Sequence, residues 1–423
     1  MKTYFSKIKQ FNRNLYFFFA ATAVHSFVFF GIYTLLLNLY LIRLGYDANF
    51  IGLVNGIAPL VLAGASLPAS WITNWVGSRK AIIVGYIFIS LGFVSLPLSP
   101  YLPESVQAGW IVGSYALAWF SGSLVVVNTS PYIMRITQES EREHAFALHS
   151  GLMPLFGFLG NLVGGFLPTF FAGTLQASLE TAVPYRAALL VASLLYLVAA
   201  LVMKQTKEIA PIKKSVDKTQ PKSRAPLSFI IMISLVHFFA MSGGWTLRIY
   251  ANVYLDTIFL VPTSVIGIIS ALGQLLGLMA LLTPLLIKRF GQKQTIFFGL
   301  IALSLIVLPA VTIAHWIAVS LSFVSMLAFA SLISPAFLLF SQSRVLAEWR
   351  TTVASSITMA FGIGVAFTAL AGGQIATAVG FPRLFLIAGV SYLVAALIFG
   401  SYTMGRRSRK PAYQLKDAAK PLA

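Results

Sequence analysis

Few side chains in this sequence could do chemistry, and the clearest is Arg248, which stands in an otherwise uncharged run from Leu227 to Leu255. With a helix centred near Ser242, Arg248 lies about 9 Å from the middle of the run, inside the half-thickness of about 15 Å that hydrocarbon occupies in a bilayer. A charged group at that depth is costly and as a rule functional. Its helical face also carries His237, Gly244 and Asn252, because 11 residues are close to three turns, and Trp245 stands beside it. Such a cationic, polar stripe can hold an anionic or carboxylate-bearing solute. The other reading is an arginine that snorkels to the outer interface near Asp256.

The first apolar run offers a matching face with Thr34 and Asn38, and it carries His25 deeper on another side. A single helical histidine either titrates or is simply packed and hydrogen-bonded. In the fourth run Ser114, Ser121 and Asn128 recur every seven residues and lead to Arg135. A stripe that drifts only about 20° per repeat faces protein or water, not lipid. Lining a cavity is the favoured reading, and bonding to neighbouring helices is the alternative. Trp119, Asn55, Gln274, His149 and Gln374 are further candidates, each competing with plain packing.

What is missing narrows the chemistry. Asp47, Glu104, Glu180 and Asp256 fall at the ends of apolar runs, and no Asp or Glu falls inside one. A carboxylate proton relay therefore has no carrier, so any proton coupling falls to His25, to His237 or to the solute itself. An intramembrane hydrolase or acyltransferase needs an acid pair, a His–Asp pair or metal ligands at depth. None is apparent, so no catalytic residue, metal site or cofactor is assigned. The absence of cysteine excludes disulfides, thiolate catalysis and thiolate ligands. The sequence also lacks a phosphate-binding Gly-x-x-x-x-Gly-Lys-Ser or Thr loop, so ATP drive would need a partner chain.

The elements that position these residues are apolar runs of membrane-spanning length. Of 423 residues 58% are hydrophobic and 10% charged, a balance that belongs in lipid. Each span needs roughly 20 apolar residues, and the runs that satisfy this are 16–42, 50–74, 80–98, 106–134, 145–172, 182–203, 227–255, 262–287, 294–314, 316–341, 352–378 and 383–403. The predicted fold is all-α and polytopic, with 12 transmembrane helices in two six-helix bundles, 1–203 and 227–405. A basic linker, 204–226, joins them, and a basic tail, 406–423, follows. Ala21-Thr22-Ala23 imitates a signal cleavage site, but the run around it is too long for a signal peptide.

A net charge of +19 could suggest nucleic acid, but that reading needs the basic residues to form one face. Instead 26 of the 30 Lys and Arg fall on one side of the predicted spans, at both termini, in the linker and in the even-numbered connections. That asymmetry predicts a multi-pass cell-membrane protein with both termini cytoplasmic and no nucleic-acid partner. The acidic connection from Thr137 to His144 reads as a solvated cytoplasmic loop.

The halves repeat at an offset of 214. Asn38-Leu39-Tyr40-Leu41 returns as Asn252-Val253-Tyr254-Leu255, and Gly77 falls on Gly291. Duplicated halves of this kind suit a two-lobed transporter with its substrate site near the midplane. Both glycines sit in basic loops between the second and third span of their half. The first loop runs Asn74-Trp75-Val76-Gly77-Ser78-Arg79-Lys80, and the second runs Lys288-Arg289-Phe290-Gly291-Gln292-Lys293. This pair resembles the loop signature Gly-x-x-x-Asp-Arg-x-Gly-Arg-Arg or Lys of the major facilitator superfamily, and the resemblance covers residues 14 to 405.

The resemblance implies a transporter that works by alternating access, with spans one, four, seven and ten lining its pathway and the two loops acting at the cytoplasmic gate. Asn74 and Lys288 stand where the family has Asp, and Trp75 where it has Arg, which implies a weakened or different cytoplasmic latch. Gly160-Asn161-Leu162-Val163-Gly164-Gly165 partly resembles the family's antiporter motif, or else Gly157, Gly160 and Gly164 form a packing stripe. The expected function is efflux or exchange of small organic solutes, amphipathic or anionic, by a monomer. Import of an anionic metabolite and a non-transporting, receptor-like role are the alternatives.

Overall fold

The computed structural model describes residues 11–207, 226–345 and 347–404. The lead-in before Phe11, most of the basic linker and the basic tail lie outside the described residues. Backbone polar groups in hydrocarbon must be satisfied within their own segment, and each apolar run does so as a helix. Twelve helices are long and apolar enough to cross a membrane, and the described residues contain no strand.

In the first half these are α1 (Arg13–Arg43), α2 (Ala48–Val76), α3 (Ser78–Tyr101), α4 (Glu104–Ile136), α5 (Glu139–Thr174) and α6 (Val183–Lys204). In the second half they are α7 (Leu227–Thr257), α8 (Thr263–Phe290), α9 (Gln292–Thr312), α10 (Trp316–Ser343), α11 (Ala347–Val379) and α12 (Phe381–Met404). Caps fix several starts: the side chain of Asn12 accepts from Leu15 N, and that of Asp47 from Phe50 N, each at 3.0 Å.

Two local departures matter. The stretch Glu139 to His144, expected as a loop, is already helical and extends α5 beyond the predicted edge. Glu, Arg and Ala are good helix formers, so leaving the bilayer does not oblige a helix to stop. In α1 the turn Phe27–Tyr33 widens into a π-helix, and this shifts the phase between the residues before and after it.

Within each half the third helix packs against the fourth and the sixth: α3 on α4 and α6, α9 on α10 and α12. The halves meet along two seams related by the duplication, α2 on α11 and α5 on α8. The second seam is close enough that a Cβ added to Gly267 would sit 2.6 Å from the Gly165 Cα, so only glycine fits. Arg13, Gly77, Lys204 and Gly291 mark one end of the bundle, called here the basic end, and Asp47, Glu104, Glu180 and Asp256 mark the far end.

Candidate functional site

A cavity lies between the halves, lined from eight helices: α1, α2, α4 and α5 on one side, α7, α8, α10 and α11 on the other. The four expected helices are present, joined by the two seam pairs. Among the described residues that line it, Arg248 alone is charged. Its guanidinium carbon stands 5.7 Å from the centre of the Trp245 ring, a cation–π arrangement, and Trp245 in turn meets the edge of Phe361. Asn252, one turn further along α7, lines the same space and accepts from Ser270 Oγ at 3.4 Å.

Opposite them, Thr34 and Asn38 of α1 line the cavity. Asn38 bridges the halves: its Nδ2 donates to Ile249 O at 3.0 Å, while its Oδ1 accepts from Asn55 Nδ2 at 2.9 Å. The Phe30 carbonyl, inside the π-turn, accepts from Thr34 Oγ1 at 2.8 Å, from Asn161 Nδ2 at 3.2 Å and from Gln274 Nε2 across the seam at 3.3 Å. Asn161 Oδ1 is buried with no partner among the described residues. Apolar rings complete the wall, among them Phe29, Phe30, Tyr115 and Trp119.

Beyond Asn38 the far end is sealed by bonds between the halves. Arg43 holds Asp256 with two parallel bonds, Nη1 to Oδ2 at 2.7 Å and Nη2 to Oδ1 at 2.8 Å, and its Nε donates to Leu179 O at 3.1 Å. Tyr185 and Thr263 pair their hydroxyls at 2.8 Å. Asp256 is thus a buried counter-ion for Arg43, not the outer partner that the snorkelling reading offered Arg248.

Other sequence candidates lie elsewhere. His237 stacks on Phe337, ring centres 5.2 Å apart, and is not part of the lining. His25 is packed among Phe29, Tyr86 and Tyr196, with Nδ1 and the Tyr196 hydroxyl 3.1 Å apart. The α4 stripe faces neighbouring helices, not the cavity. Ser114 Oγ accepts from Ser95 Oγ, the Ser121 backbone closes on Gly85, and Asn128 Nδ2 donates to Thr73 Oγ1 at 2.7 Å. Its constancy of face reflects helix packing, which rewards interhelical polar bonds. Tyr115 and Trp119, off that stripe, are the residues α4 gives to the cavity. Of the secondary candidates Asn55 and Gln274 line it too, whereas His149 stacks on Phe18 and Gln374 is exposed.

The sequence pattern described as Major Facilitator Superfamily matches residues 18–366. The chain belongs to that superfamily. No curated protein matches it. Among solved structures it is similar to a bacterial homologue of the human lysosomal transporter Spinster, inward-facing and occupied, at 14% identity and a TM-score of 0.76 over 96% of this chain and 98% of that one. The inward-open xylose transporter XylE from E. coli gives 13% identity and a TM-score of 0.73 over 96% and 99%. A point mutant of the nucleoside transporter NupG gives 16% and 0.69 over 91% and 100%.

The two superfamily loops have the same backbone in both halves. Gly77 has φ 86° and ψ 154°, and Gly291 has φ 83° and ψ 157°, a left-handed turn that favours glycine. Arg79 Nη2 donates to Lys204 O at 2.7 Å and Lys293 Nζ to Thr403 O at 3.3 Å, so each loop places a cation on the carbonyl end of the last helix of its own half. Arg135 Nη1 reaches Ser78 Oγ at 3.0 Å within the first half. Lys80, Lys288 and Arg289 are exposed, and the side chain of Asn74 lies outside the described ones.

The efflux-like glycine stretch is occupied by packing. A Cβ on Gly160 would reach the Phe27 carbonyl in the π-turn, and one on Gly164 would touch Ile32. The far-end ion pair is what residue-by-residue reading missed, although a signal existed. At the offset of 214, Asp256 falls beside Ile42 and Arg43 beside Thr257, opposite charges one residue apart at equivalent helix ends.

Proposed function

We propose that this chain is a secondary transporter of the cell membrane, working as a monomer, that carries a small organic solute by alternating access in the sense of efflux or exchange. The observation that supports this reading best is the cavity whose lining is shared between the duplicated halves and whose far end is closed by bonds that run from one half to the other. Breaking those bonds while the basic end closes turns the same space toward the other compartment. With the basic end in the cytoplasm, as the charge distribution favours, the end closed by these bonds is the outer one. The inward-facing Spinster homologue and the inward-open XylE share this fold.

The described lining contains no carboxylate, so a proton gradient is not expected to drive transport strongly. The test uses the chain's lack of cysteine. The double variant Arg43→Cys, Asp256→Cys is reconstituted in liposomes, bridged with a bifunctional methanethiosulfonate and offered a mixture of organic metabolites. Uptake or exchange of at least one solute, stopped by the bridge and restored by reductant, is the expected result. Activity undiminished by bridging overturns the alternating-access reading, and no solute moved by the unmodified chain overturns transport itself and leaves the receptor-like role.

A further inference from the structure

Among the described residues Arg248 has no counter-ion. The ion pair found there joins Arg43 to Asp256, which consumes the one acid on α7. No Asp or Glu stands among the described residues that line the cavity. A guanidinium withdrawn from water is costly unless an anion meets it, and the lining around this one supplies only neutral groups, among them the Trp245 ring, the carboxamides of Asn38, Asn252 and Gln274, and the hydroxyl of Thr34. The Asn252 carbonyl accepts from Ser270, which leaves its amide group to donate, and Asn252 lines the cavity one turn along α7 from Arg248. A guanidinium and an amide both donate, which suits the oxygens of a carboxylate, a sulfonate or a phosphate. Much of the rest of the lining is apolar, with a cluster of rings from Phe29, Phe30, Tyr115, Trp119 and Phe361 that would receive a flat apolar body.

We infer that the transported solute is an amphipathic organic anion whose acidic head binds Arg248 and Asn252 and whose apolar body lies among the aromatic rings toward α4 and α11. This rests on the transporter reading above and names its substrate class. It also makes the solute the missing counter-ion: the site is net positive when empty and neutral when loaded. A neutral analogue of equal shape leaves Arg248 unpaired and binds worse for that reason. An uncharged sugar likewise leaves Arg248 unpaired.

The experiment reads binding and potential, not flux, so its failure is separate from failure of transport. Thr34→Cys places a single thiol in the cavity of a chain that has no other. Its rate with anionic 2-sulfonatoethyl methanethiosulfonate is compared with its rate with the cationic trimethylammonioethyl reagent, both normalised to a free thiol. With Arg248 in place the anionic reagent is expected to lead by about tenfold or more, with the lead lost in Arg248→Gln and kept in Arg248→Lys. Protection of the thiol by 1-naphthoate, against little protection by uncharged 1-naphthamide, then reads the solute class in the same preparation. Equal rates with Arg248 present, a lead that survives Arg248→Gln, or protection by the amide as good as by the acid, or by neither, overturns the inference.

Discussion

The two ends of this molecule are held by different chemistry. At the far end three named bonds cross between the halves: Arg43 to Asp256, Tyr185 to Thr263, and Asn38 to the Ile249 carbonyl. At the basic end the named cations bond within their own half, Arg79 to the end of α6, Lys293 to the end of α12 and Arg135 to the start of α3. One end therefore resembles a clasp and the other a pair of separately braced bundles. Rigid halves joined by an exchangeable clasp are what a rocking mechanism requires.

The largest way to disturb this contrast is steric. Gly165→Leu puts a side chain where the α5 and α8 backbones touch, and overpacking of that kind costs about 3 kcal/mol in the closed far end. The halves can relieve it only by parting there. In oriented vesicles a Thr34→Cys reporter should then shift its labelling by an impermeant maleimide toward the far side by roughly a hundredfold. Unchanged sidedness in a folded variant would show that the seam does not govern opening.

Next comes the ion pair. Asp256→Asn leaves Arg43 with one hydrogen-bonded amide in place of a bidentate carboxylate, a loss of about 2 kcal/mol, or roughly thirtyfold in far-side labelling of the same reporter. Arg43→Lys should give an intermediate shift, because an ammonium cannot reproduce two parallel bonds. If Asp256→Asn left the balance untouched, Arg43 and Asp256 would be an ornament of the closed state and the clasp would reduce to packing.

The architecture was open to a reader of the sequence because hydropathy and charge placement are one-dimensional signals. Twelve runs, two halves and the glycine turns follow from them, and Arg248 with Asn252 follows from depth in the bilayer. The direction a polar face points was not open in the same way. Ser121 and Asn128 do keep one face of α4, but nothing local says whether a neighbour there is a helix or a cavity; the answers are α3 and α2. In α1 the π-turn between Phe27 and Tyr33 could not be read from the sequence. His25 packs against Tyr196 of α6 while Thr34 opens to the cavity, on separate sides as expected. Asn161 stood in the sequence as a replacement for proline in a motif. Its place at the α1–α5 joint depends on the Phe30 carbonyl, which no side-chain pattern reveals.

The smallest expected effects separate bracing within a half from clasping between halves. Arg79→Gln and Lys293→Gln each remove a cation from a helix carbonyl end, worth about 0.5 kcal/mol at such partly exposed sites. Each should lower thermal stability slightly, by similar amounts because the two loops share one geometry, and should leave the sidedness of Thr34→Cys labelling unchanged. A sidedness change as large as that of Asp256→Asn would mean that these loops reach across to the other half in the alternate state. The basic end would then carry a clasp of its own, hidden while the far end is shut, and Lys288 and Arg289, exposed here, would be the first residues to pair with acids across the gap.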